Sequence, residues 1–118
     1  DEIQMVHGGW GDPLDEYLKP TPDYFKRVFG SIFVSGHTHI QRVCKFEQKL
    51  YCNPGSVGQP RDGDPRAAFA TFENGEFVLH RAEYDIQTVF NLMEAAGFDD
   101  YYYGCLKTGA RNLRRLDT

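Results

Sequence analysis

Apolar positions fall into short blocks along this chain, and their spacing changes twice. Ile3, Met5 and Val6 make a brief extended segment that stops at Gly8-Gly9. From Gly8 to Pro22 glycine, proline and aspartate dominate, which reads as loop with one helical turn at Leu14 to Leu18. Thr21-Pro22-Asp23 carries a helix start, a capping hydroxyl followed by proline in the first turn, and the helix is expected to run to Phe29. Ser31-Ile32-Phe33-Val34-Ser35 sets three large apolar residues in a row, the pattern of a strand buried on both faces. Gln41 to Phe46 and Leu50 to Asn53 read as a hairpin around Glu47-Gln48-Lys49. A second hairpin is expected from Ala67 to Tyr84, because Asn74-Gly75 accepts the left-handed backbone of a two-residue turn.

From Asp85 the period turns helical. Ile86, Val89, Phe90, Met93 and Ala96 share one face, and Gly97 ends it. A last helix is expected over Tyr101 to Leu116, its basic end at Arg111, Arg114 and Arg115 suiting the carbonyls of a helix C-terminus. Trp10 and the run Tyr101-Tyr102-Tyr103 are expected to pack against helices. Strand, helix, strand, hairpins and helices in that order predict a mixed α/β fold built on a sheet.

Composition narrows the class. The 118 residues are 41% hydrophobic and 25% charged, a globular profile in a chain the size of one domain. Thirteen basic against 17 acidic residues leave a net charge of −4, which argues against nucleic acid as a stable partner. No apolar run approaches the ~20 residues of a membrane helix, so no membrane partner is expected. Three cysteines (Cys44, Cys52 and Cys105) without a CxxC pair fit free thiols in a reducing cytoplasm.

The candidate chemistry is a set of histidines at strand ends. His7 closes the first strand, and His37 and His39 follow the second in Gly36-His37-Thr38-His39. Neutral imidazole is the commonest transition-metal ligand near pH 7, and glycines beside it permit tight turns. Two histidines at i and i+2 can face different ions of a two-metal site. The carboxyl ends of neighbouring strands are also where α/β sheets hold ligands. His80, in mid-strand, reads as an ordinary hairpin residue. The loop Asn53-Pro54-Gly55-Ser56-Val57-Gly58-Gln59-Pro60-Arg61 is a second feature, either a turn-rich connection or an oxyanion-binding rim in which the Ser56 hydroxyl and Arg61 guanidinium donate.

Taken in order, the His7-Gly8 strand end, the GHTH segment and the NPGSVGQPR loop resemble the calcineurin-like metallophosphoesterase superfamily, most closely its small prokaryotic phosphodiesterases. The resemblance covers about residues 3 to 84. It implies a β-sandwich flanked by helices with two divalent ions, commonly manganese, iron or zinc, at the sheet edge. His7 and His37 would ligate one ion and His39 the other, with Ser56 and Arg61 near a phosphorylated small-molecule or phosphodiester substrate. The family's Asp-x-His, Gly-Asp and Gly-Asn-His/Asp segments are absent; Gly11-Asp12 and Gly63-Asp64 both follow His7. The bridging carboxylate and the residue that protonates the leaving group are absent with them. The resemblance therefore implies the C-terminal half of a metallophosphoesterase domain, with residues 1–84 bearing the motifs and 85–118 a helical tail. Such a half should bind metal poorly and be inactive alone, with the N-terminal half as a covalent or separate partner. The alternative is a non-catalytic interaction module of the same fold.

Overall fold

The apolar run after Gly30 becomes an interior strand in the computed structural model, which describes residues 2–110. Strands β1 (Ile3–Met5), β2 (Ile32–Val34), β3 (Arg42–Phe46) and β4 (Lys49–Asn53) form one sheet in the order β1-β2-β4-β3. β2 runs parallel to both neighbours, pairing Phe33 with Gln4 on one side and with Tyr51 on the other. β3 and β4 are the expected hairpin, closed at Phe46 and Lys49. Ile32 and Phe33 are buried, so the uninterrupted apolar run reflects cover on both faces of the sheet.

Helix α1 (Pro22–Lys26) lies over this sheet. Thr21 caps it, its hydroxyl accepting from the Tyr24 amide at 3.2 Å, and Pro22 occupies the first turn. Phe25 drives into a core with Leu18, Phe33 and Tyr51, and Trp10 packs edge-on against Phe25 and Phe33. Trp10 is thus a packing residue. The helix ends at Lys26 rather than Phe29. Arg27 and Val28 bond back only three residues, while Lys49 Nζ donates to the carbonyls of Phe25 and Val28. That ammonium satisfies the last carbonyls and replaces a further turn.

The expected turn over Leu14 to Leu18 is not helical. The Asp12 carboxylate accepts from the amides of Leu14 and Asp15, and Glu16 accepts from those of Gly11 and Asp12, so side chains hold a compact loop.

Strands β5 (Ala67–Glu73) and β6 (Glu76–Ala82) form a separate two-stranded sheet. Its turn has left-handed Asn74 (φ 50°) and Gly75 (φ 78°), as the Asn-Gly pair predicts. Gln41 ties this hairpin to the larger sheet: its amide nitrogen donates to the carbonyls of Phe69 and His80. Gly55 sits where the two sheets meet, at φ 83°. A Cβ there would lie 2.9 Å from that of Ala68 and 3.1 Å from that of Gln41, so neither backbone nor space admits a side chain.

Helix α2 (Ile86–Ala95) starts at Asp85, whose carboxylate accepts from the Thr88 amide, and stops at left-handed Gly97. Ile86, Val89, Phe90 and Met93 are half-buried, as their period predicts, whereas Ala96 is exposed. The last helix is shorter than expected: α3 (Asp100–Tyr103) gives way to turns. Tyr103 buries itself edge-on against Phe90, which accounts for part of the tyrosine run. Beyond it, the Gly63 amide donates to the Gly109 carbonyl at 2.9 Å, and Gly109 (φ 65°) lies against Asp64 too closely for any Cβ. Docking on that loop takes the chain out of helix. The anticipated basic helix end falls outside the described residues. Among the described residues, no helix is long and apolar enough to cross a membrane.

Candidate metal centre

Parallel pairing brings the ends of β1 and β2 side by side, and with them the histidines. The Gly36 amide donates to the His7 carbonyl at 2.9 Å, extending the β1–β2 ladder to the point where the imidazoles project. There His7 Nε2 stands 2.9 Å from His37 Nδ1, with the rings edge to face. Two nitrogens each bound ~2.1 Å from one ion stand ~3 Å apart when their angle is near a right angle. The pair is therefore spaced as two neighbouring ligands of a single cation.

Both histidines of the GHTH turn adopt left-handed backbone, His37 at φ 72° and His39 at φ 62°. Such conformations cost about 1–3 kcal/mol outside glycine and persist where the surroundings over-determine them. The two imidazoles take different partners: His37 meets His7 and Tyr17, whereas His39 meets the Gln59 carbonyl. His39 Nδ1 lies 2.8 Å from the Gln59 carbonyl, which can only accept, so Nδ1 carries the proton and Nε2 keeps its lone pair. A ring held this way by a backbone carbonyl is oriented as metal-binding histidines are. Burial, and then the charge of Arg61, hold the His39 pKa below the usual histidine value, which favours the neutral form at pH 7.

Asn53 is the support that pattern reasoning passed over as the end of a strand. It is buried, and its side chain makes three bonds: Nδ2 donates to the Gly36 carbonyl (3.3 Å) and the Thr38 hydroxyl (2.9 Å), and Oδ1 accepts from the Gly55 amide (3.0 Å). One side chain thereby clamps the histidine turn to the Pro54–Arg61 loop. An Asn directly before Pro-Gly at a strand end was the available signal. Asn53→Asp is expected to cost about 1–3 kcal/mol in urea denaturation, because a carboxylate cannot donate to Gly36 and Thr38. Unchanged stability would mean that the clamp contributes nothing.

The expected anion rim is only partly assembled. The Ser56 hydroxyl accepts from the Gln59 amide at 2.8 Å and its carbonyl from Ala68, so it braces the loop on β5. Arg61 donates through its amide to the His39 carbonyl and through its guanidinium to Gln59 Oε1 at 3.2 Å. Arg61 is thus beside the histidine turn, while Ser56 serves its own loop. His80 is a hairpin residue as anticipated, bonded to Thr71 and stacked on Phe69. Among the described residues, no three His, Cys, Asp or Glu side chains converge as one ligand cluster. The donor set fits part of a two-ion site, with an imidazole pair spaced for one cation and a separately oriented imidazole for another.

The fold and this site define a metallophosphoesterase-type α/β chain. Residues 1–75 match the calcineurin-like phosphoesterase superfamily domain, and the chain belongs to that family. It is 37% identical over 94 residues to an uncharacterized protein of Methanocaldococcus jannaschii, covering 64% of this chain and 38% of that one. A metallophosphoesterase from Sphaerobacter thermophilus superposes with a TM-score of 0.82 at 29% identity, over 92% of this chain and 55% of that structure. A hypothetical protein from Pyrococcus horikoshii shares the fold, with a TM-score of 0.79 at 17% identity over 92% of this chain and 47% of its own. The chain thus spans about half the length of the structures it matches, and less of its M. jannaschii relative.

Proposed function

We propose that this chain is the C-terminal half of a metal-dependent phosphoesterase domain that hydrolyses a phosphodiester or phosphomonoester at two divalent ions. The observation that carries this reading is the 2.9 Å approach of His7 to His37, with His39 held as the opposite tautomer-fixed ligand by Gln59. His7 and His37 would hold one ion and His39 Nε2 the other; manganese, iron and zinc all accept imidazole. When bound, such ions lower the pKa of coordinated water and neutralise charge on phosphoryl oxygens. The chain's own residues orient the ligands: Asn53 fixes the turn, and Gln59 fixes the His39 proton. Arg61 would offer its remaining donors to a phosphoryl oxygen, with Ser56 shaping the loop around it.

Support for the half-domain reading comes from β1, which edges the sheet among the described strands with Met5 70% exposed. The carboxylate ligands would come from the segment that covers it, and the isolated chain is expected to be inactive. Three free thiols suit a reducing, cytoplasmic setting. Retention of all three histidines favours an enzyme over an interaction module. In the full-length parent, hydrolysis of bis(p-nitrophenyl) phosphate should require Mn²⁺, vanish with EDTA and return on adding the metal back. Turnover indifferent to EDTA would sink the proposal.

A further inference from the structure

A cavity of about 700 Å³ opens beside the histidine turn, between the Tyr17–Thr21 stretch and the start of β3. Its volume lies in the range of small-molecule sites. Part of its wall is apolar, from Leu18, Ile40 and the ring of Tyr51. Its charged part is of one sign: Lys19, Arg42 and Arg61 line it, and among the described residues no carboxylate does. None of the three forms an ion pair with another described residue. In a chain of net charge −4, three unopposed cations around one concavity are a local field that the composition does not predict.

The cavity also reaches the candidate metal centre. Thr38, between His37 and His39, is part of its wall. Tyr17 forms another part, and its ring lies 4.2 Å from that of His37, tilted by 31°. A molecule in the cavity is therefore one side chain away from the imidazole pair.

We propose that this cavity is a specificity pocket that takes a second phosphoryl group, carried by the substrate beyond the ester that is cut. The proposal rests on the phosphoesterase reading above for the cut itself, but the pocket's affinity for the distal group does not. Guanidinium forks bind phosphoryl oxygens in pairs; with Arg61 turned to the ester that is cut, Arg42 and Lys19 match the charge of a dianion. The apolar wall would carry the body that joins the two groups. Arg42 is exposed on β3, so its removal leaves the core intact.

The test uses the full-length parent and two chromogenic esters, thymidine 5′-(p-nitrophenyl phosphate) with and without a 3′-phosphate. The 3′-phosphorylated ester should be preferred by about tenfold or more in kcat/KM, chiefly through KM, and Arg42→Ala should reduce that preference about tenfold. Calorimetry with thymidine 3′,5′-bisphosphate in EDTA gives a readout without turnover: binding to the wild type should weaken about tenfold in Arg42→Ala and in Lys19→Ala. Binding that follows the variants while neither ester nor p-nitrophenyl phosphate is cut would overturn the hydrolase and uphold the pocket. Turnover with no preference between the esters, or bisphosphate binding indifferent to Arg42, would overturn the pocket and leave the hydrolase standing.

Discussion

His37→Ala in the full-length parent is expected to reduce Mn²⁺-dependent phosphodiester turnover by two orders of magnitude or more. Loss of groups that merely orient a metal ligand already costs ~10–100-fold, and His37 would be a ligand itself. Two structural roles of His37 have to be separated from that one. Its ring packs on Tyr17 and faces His7, and its backbone is left-handed at φ 72°. Alanine is strained in that conformation and glycine is not. A companion His37→Gly variant removes the imidazole while relaxing the backbone. Both variants should lose turnover and Mn²⁺ binding by calorimetry, while His37→Gly is the more stable of the two in urea. Turnover near the wild-type rate in either variant would end the assignment of His37 as a ligand. Loss of turnover with Mn²⁺ affinity intact would move the residue from metal binding to substrate positioning.

How much of this was readable beforehand divides along a physical line. Elements whose signals are local were legible: the Thr21-Pro22 start of α1, the Asn74-Gly75 turn, the apolar run of β2 and the Asp85 cap of α2 all formed as patterned. Their boundaries were less so, because distant side chains decide them. Lys49, 21 and 24 residues away in sequence, takes the carbonyls that would have continued α1. Gly63 pulls Gly109 out of the anticipated last helix. The site divides in the same way. Histidines at strand ends are visible as residue types, but their pairing across 30 positions depends on the parallel register of β1 and β2. Asn53 shows in the sequence only as an Asn before Pro-Gly at a strand end, and the support that it and Gln59 give leaves no periodicity behind.

The loop from Asn53 to Arg66 must be held rigid if it is to present the Gln59 carbonyl and Arg61, and its anchor is Arg81 on β6. That guanidinium donates to Gln41 Oε1 and the carbonyls of Asp64 and Arg66, each at 3.1 Å, and pairs with the Asp62 carboxylate. Only 13% of the Arg81 side chain and 16% of the Asp62 side chain meet solvent. Asp62 in turn accepts from the Gln41 amide, so one cation joins the loop, β3 and the β5–β6 hairpin. Arg81→Met keeps most of the aliphatic volume and removes every donor. It leaves a nearly enclosed carboxylate without its counter-ion and two carbonyls without that donor, and should destabilise by roughly 3 kcal/mol in urea, the low end for a broken buried pair because some water remains. Asp62→Asn in the same background removes the orphaned charge and should recover part of the loss. The acid limb separates this network from its neighbour. Hydrogen bonds from the Arg66 side chain and then its backbone hold the Asp64 carboxyl down to about 2. A lowered carboxyl pKa stabilises the fold above the unfolded value and loses that contribution as pH falls from about 4 towards 2. Arg81 Nε also stands 3.8 Å from the Asp64 carboxylate, but the Arg66 bonds supply the larger part of the lowering, so stability in Arg81→Met should be lower at every pH while still falling across a slightly narrower acid window. A variant as stable as the wild type would show the loop to be anchored elsewhere. A lost acid window would show that Arg81, rather than Arg66, governs Asp64.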